Sequence, residues 1–115
     1  MRVLLIEDDA IVAEAVRLAV ADHGAIADKA SLGEEGVNLA RIYDYDVILL
    51  DMTLPDMSGL EVLRQLRSSK IETPVLVLSG LADTDVKVRA LDCGADDYVT
   101  KPLHNRELVA RLRAL

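Results

Sequence analysis

Three short, unbroken apolar runs punctuate the chain: Val3-Leu4-Leu5-Ile6, Val47-Ile48-Leu49-Leu50 and Val75-Leu76-Val77-Leu78. Continuous Val/Ile/Leu runs of this length fit strands buried on both faces, as in a parallel sheet. Residues 25–30 and 97–100 are weaker strand candidates. Helical patterns lie between the runs. Val12, Ala15, Val16 and Ala19 recur at helical spacing, and Gly24 follows as a stop signal. Ser31-Leu32-Gly33-Glu34 reads as a capping box that opens a second helix reaching to about Tyr43. Leu60, Leu63 and Leu66 mark a third helix, beyond Pro55 and Gly59. Residues 84–92 form a fourth, ended by Gly94, and Leu108, Val109, Leu112 and Leu115 line a fifth. Strand and helix alternate five times. This order predicts an α/β fold, a flavodoxin-like doubly wound (βα)5 three-layer sandwich with right-handed crossovers and parallel sheet order 2-1-3-4-5.

Length agrees with one domain over residues 1–115. The apolar stripe still running at Leu115 suggests an excised N-terminal domain of a longer protein. No apolar run approaches the roughly 20 residues of a membrane span, and the start runs at once into Glu7-Asp8-Asp9, which does not suit a signal peptide. A single cysteine, Cys93, rules out an internal disulfide and is read as a small residue at a helix end. These features point to a cytoplasmic protein without membrane contact. The net charge of −7 repels phosphate backbones, so the domain is not expected to bind nucleic acid by itself. Without Trp or Phe, stacking platforms for bases or flavins are scarce. His23 and His104 read as surface residues with no ligand spacing between them.

The polar residues that follow the buried strands change the picture most. Strand one runs into Glu7-Asp8-Asp9, strand three into Asp51, strand four into Ser79-Gly80 and strand five into Thr100-Lys101-Pro102. In an open parallel sheet these carboxyl ends share one edge, where ligands bind. Each piece alone has an ordinary structural reading: Asp8-Asp9 as a helix cap, Asp51 as a cap or turn residue, Ser79-Gly80 as a turn, Lys101 as a solvated lysine. Their common position favours a site. Two carboxylates about 4 Å apart repel by roughly 4 kcal/mol at an effective dielectric near 20, so three acids need counterions. Lys101 supplies one charge and a divalent cation would supply the rest. All-oxygen ligands favour Mg²⁺, Mn²⁺ or Ca²⁺ over zinc, and too few carboxylates are present for a closed Ca²⁺ cage. The set suits phosphoryl transfer, with a carboxylate nucleophile forming an acyl phosphate.

Over its whole length the chain resembles the receiver domain of two-component response regulators. The resemblance rests on Glu7-Asp8-Asp9, Asp51 with Leu54-Pro55-Asp56-Met57-Ser58-Gly59, Ser79-Gly80, Gly94-Ala95-Asp96-Asp97-Tyr98 and Lys101-Pro102. It implies that Asp51 takes a phosphoryl group from a phosphohistidine on a sensor histidine kinase or histidine phosphotransfer protein. It further implies that Asp9 and Asp51 bind Mg²⁺ directly, with the backbone carbonyl of Thr53 as a third ligand and Asp8 acting through water. Mn²⁺ is a possible substitute. By the same likeness Lys101 pairs with Asp51 across a cis peptide to Pro102, and Ser79 and Tyr98 form the coupled switch. Ser79 stands where many members carry Thr and keeps the hydroxyl; Gly80 replaces a commoner Ala.

The charged residues Lys87, Asp92, Asp96, Asp97, Glu107, Arg111 and Arg113 read by themselves as a solvated face. They are also similar to the dimer-forming set of receivers with winged-helix DNA-binding partners. That likeness implies a phosphorylation-dependent homodimer through α4-β5-α5, with Lys87–Glu107, Asp97–Arg111 and Asp92–Arg113 paired between copies. DNA would be reached only through a domain absent from this chain. Gly33-Glu34-Glu35-Gly36-Val37, residues 41–46 and the segment 54–59 look like the alphaproteobacterial cell-cycle transcription regulators. The expected protein is thus a bacterial signalling switch and not a conventional enzyme. A stand-alone phosphorelay receiver is the alternative. Two further rivals fit less well. A phosphatase of the haloacid dehalogenase type wants a second Asp where Thr53 stands, and a flavin module wants a Ser/Thr-rich loop where Glu7-Asp8-Asp9 stands.

Overall fold

A computed structural model describes residues 1–80 and 82–115. Five parallel strands, β1 (Arg2–Ile6), β2 (Ile26–Ala30), β3 (Val47–Asp51), β4 (Val75–Ser79) and β5 (Asp97–Thr100), form one sheet in the order β2-β1-β3-β4-β5. The helices are α1 (Ala10–Ala21), α2 (Gly33–Ile42), α3 (Gly59–Ser68), α4 (Thr84–Asp92) and α5 (Asn105–Ala114).

The strands alternate their side chains between two cores, as the pleat demands. Leu4, Ile6, Ile48, Leu50, Val75 and Val77 point to α2, α3 and α4, where Val37, Val62, Leu63, Leu66 and Ala90 meet them. Val3, Leu5, Val47, Leu49, Leu76 and Leu78 point to α1 and α5, where Ala13, Val16, Val20, Leu108 and Leu112 close the other core. Every residue of β3 and β4 is buried. Each such aliphatic side chain stabilises the fold by about 1.5–3 kcal/mol, which is why the central strands read as unbroken apolar runs. Edge strand β2 is half exposed and carries a weaker signal.

Two expectations change. The second helix spans the expected residues, but no capping box forms. Leu32 holds the cap position without a side-chain bond. Ser31 only donates its backbone N–H to the Glu35 carboxylate at 3.2 Å, and the first-turn amides are satisfied from elsewhere in the chain. Leu115 does not extend the buried stripe: it lies past the end of α5 and is 40% exposed. The Gly24 and Gly94 stop signals hold, with φ of +79° and +109° in the left-handed region that favours glycine.

Candidate functional site

Strand β1 ends at Ile6, and its pairing continues one residue through Glu7 N–H to the Ala30 carbonyl at 2.9 Å. That extension sends the Glu7 side chain inward, where it is fully buried. Asp51 is the last residue of β3 and is 6% exposed. Ser79 closes β4 and is buried. Lys101 follows β5, its N–H donating to the Ser79 carbonyl at 2.7 Å, and its bond to Pro102 is cis, as expected. Four strand ends therefore aim polar groups at one edge of the sheet.

One carboxylate oxygen from each of Glu7, Asp8 and Asp51 lies within 4.8 Å of the others. The Lys101 ammonium donates to Glu7 Oε1 at 2.9 Å and sits 3.6 Å from Asp51 Oδ1. Burial pushes the Glu7 carboxyl up to about 7, helped by the neighbouring Asp51 carboxylate and opposed by Lys101. Burial alone would lower the Lys101 ammonium, but its bond to Glu7 and the nearby Asp51 charge raise it above its ordinary value.

Asp9 takes a different place from the one expected. Its Oδ1 accepts from Ile11 N–H at 2.9 Å and Val12 N–H at 3.2 Å, so it is the N-cap of α1. Glu7 occupies the position in the acidic cluster that the sequence reading gave to Asp9. Asp8 is in the cluster, as expected. The signal for Asp9 was its place just before the first helical residue. The signal for Glu7 was one extra step of strand alternation. Thr53 stands in the turn after β3, which an isolated bridge between Thr53 and Ser58 closes.

Three carboxylate oxygens clustered within 4.8 Å of one another, no His or Cys among them, and one ammonium beside them fit a hard divalent cation. Glu7 Oε2 is buried and has no hydrogen-bond partner among the described residues. A buried acceptor left over beside two other carboxylates is what a bound cation, or one of its waters, would satisfy. Glu7, Asp8 and Asp51 are the residues that would hold it.

The proposed switch and dimer residues are spread over the adjacent face. Tyr98 is 5% exposed, in the inward position, packed in the core with Val77 and Ala90. Asp97 and Glu107 both bind Arg111, at 3.0 Å each, inside one chain. Asp96 turns away from this face. It accepts from Val75 N–H at 2.9 Å and Arg67 at 3.2 Å, a structural role at the start of β4. Lys87, Asp92 and Arg113 are exposed.

Fold and site together define a doubly wound α/β module with an acidic cluster at the carboxyl edge of its sheet, and the response regulator receiver domain model matches residues 3–113. The chain belongs to the response regulator receiver domain family. It is 56% identical over all 115 residues to the cell cycle response regulator CtrA of Brucella ovis and of Brucella abortus strain 2308. It spans half the length of these curated relatives. Among solved structures, the Francisella response regulator 1452 receiver domain superposes with a TM-score of 0.94 at 35% identity, over 98% of this chain and 93% of that one. The BeF3-activated DrrB receiver domain superposes with a TM-score of 0.88 at 30% identity, over 98% and 94% of the two chains.

Proposed function

We propose that Asp51 is the phosphoacceptor of a CtrA-like transcription regulator. The observation that carries this reading is the convergence of Glu7, Asp8, Asp51 and Lys101 at the carboxyl edge of the sheet. An Asp51 carboxylate oxygen attacks the phosphorus of a phosphohistidine. The P–N bond breaks, an acyl phosphate forms, and the leaving imidazole takes up a proton. Asp8 and Asp51, with Glu7 beside them and the Thr53 backbone carbonyl as a further ligand, would hold Mg²⁺, which would supply charge neutralisation for the transferring oxygens. Lys101 adds a second positive charge at Asp51. The Ser79 hydroxyl donates to a phosphoryl oxygen, and Tyr98 keeps the inward position behind it. Phosphorylation shifts the population between two arrangements of this region.

The partners are a sensor histidine kinase or phosphotransfer protein, and a second copy through α4, β5 and α5. DNA is reached through a further domain such as the longer relatives have room for. Incubation with Mg²⁺ and acetyl phosphate followed by intact-mass measurement tests the centre of this reading. One phosphate adds to the wild type and none to Asp51→Ala. Phosphate on the variant, or none on the wild type, overturns it.

A further inference from the structure

The N-terminus of α2 has no acceptor of its own, because Leu32 stands at the cap position. Its first two amides donate instead to the two oxygens of Asp56: Gly33 N–H at 2.8 Å and Glu34 N–H at 3.0 Å. Asp56 belongs to the turn after β3. That turn is closed by the Thr53–Ser58 bridge, and Thr53 N–H points to Asp51 Oδ1 at 3.3 Å. A continuous path therefore runs from the Asp51 carboxylate through the bridged turn to the first turn of α2.

Packing makes that path stiff. A Cβ on Gly33 would come within 2.6 Å of Met57 Cγ, the residue next to Asp56. A Cβ on Gly36 would run into the Ile6 side chain, next to Glu7. Helix α2 is thus seated against both chain segments that carry the acids of the site. Close-packed interiors transmit small displacements because no void absorbs them. Unmet first-turn amides are also costly, so α2 is bound to follow its cap.

We propose that α2 responds to occupancy of the Asp51 site, with Asp56 as the positioning residue that couples them. This rests on the receiver reading above. The coupling is reciprocal: a ligand at Asp51 that strengthens the α2 cap binds more weakly when the cap is lost, and one that weakens it binds more tightly.

The test is amide hydrogen exchange of residues 33–37, with and without Mg²⁺ and beryllofluoride, in the wild type, Asp56→Asn and Asp56→Ala. Beryllofluoride binding is followed separately by fluorine NMR. In the wild type the ligand changes exchange of these amides by about fivefold or more. Asp56→Asn, which keeps one acceptor oxygen, retains part of that response. Asp56→Ala still binds beryllofluoride, with altered affinity, but α2 no longer responds to it. General fraying of the Ala variant alters exchange equally in both states and leaves the difference between states as the readout. The proposal fails if wild-type α2 ignores bound beryllofluoride, or if the Ala variant responds as the wild type does. Absence of any beryllofluoride signal in the wild type is a separate outcome and overturns the receiver reading with it.

Discussion

Of the three consecutive acids after β1, two face the sheet edge and the third faces α1. Asp9 spends its oxygen on two helix amides, while Glu7 and Asp8 stand beside Asp51. The residues therefore separate by experiment. Asp9→Ala loses a cap and lowers stability by about 0.5–2 kcal/mol in chemical denaturation, while Mg²⁺ binding measured by titration calorimetry stays near wild type. Asp8→Asn does the reverse: stability changes little and Mg²⁺ affinity falls by tenfold or more, about 1.4 kcal/mol or above. Residue types alone placed acids at this edge. Which of the three enters the site depends on how far β1 pairing runs past Ile6, and that is set by the Glu7–Ala30 hydrogen bond. A contact across 23 residues leaves no local mark in the sequence.

Asp56 titrates in a direction that can be checked. Hydrogen bonds from the Glu34 and Gly33 amides hold its carboxyl below its ordinary value. A group depressed in the folded state contributes stability that is fully present above its unfolded pKa and lost as the pH falls through the folded one. The gap in melting temperature between wild type and Asp56→Asn is expected to be widest near neutrality and to close in the acid range below about pH 4. A gap independent of pH would show that the carboxylate charge is not what holds the helix.

At the scale of elements, Arg67 does for α3 and β4 what Asp56 does for α2. Its guanidinium donates to the carbonyls of Ile71, Thr73 and Gly94 and to Asp96, fastening the end of α3, the entry to β4 and the turn before β5. Arg67→Ala is expected to cost about 2 kcal/mol, read from urea midpoints. Arg67→Lys recovers little of it, since an ammonium cannot fork across several carbonyls. Such cross-chain ties mark the boundary of what a pattern reading finds. Strands β1, β3 and β4 were legible because burial on both faces writes an unbroken apolar run. Helix α4 was legible from Thr84 to Gly94 because its stop signal is local. The cap of α2 was read as Ser31 with Glu34 because those residues have the right spacing. The true acceptor, Asp56, is more than twenty residues away.

For the whole molecule, the surplus of acid lies almost entirely before Thr84, while α4, β5 and α5 carry near-balanced charge. That leaves one face where two copies of an otherwise acidic chain can approach without strong repulsion. Within one chain Arg111 is already engaged by Asp97 and Glu107. A dimer that pairs Asp97 and Arg111 between copies must first exchange these internal partners, so little net energy comes from the pairs themselves. Sedimentation should show association when Mg²⁺ and beryllofluoride are added, weakening as salt rises and the Debye length shortens below about 8 Å. A species that stays monomeric at every salt concentration would rule out this dimer for residues 1–115.

The crowded sheet edge also has a price in robustness. Glu7 and Asp51 lie out of water, with Lys101 as the ammonium that pairs with them. The fold tolerates this because the site sits at the carboxyl edge of the sheet, outside the two apolar cores. Asp51→Asn should melt several degrees above the metal-free wild type, and added Mg²⁺ should narrow the difference. A variant that outlasts its parent would show that the Asp51 charge burdens the metal-free fold.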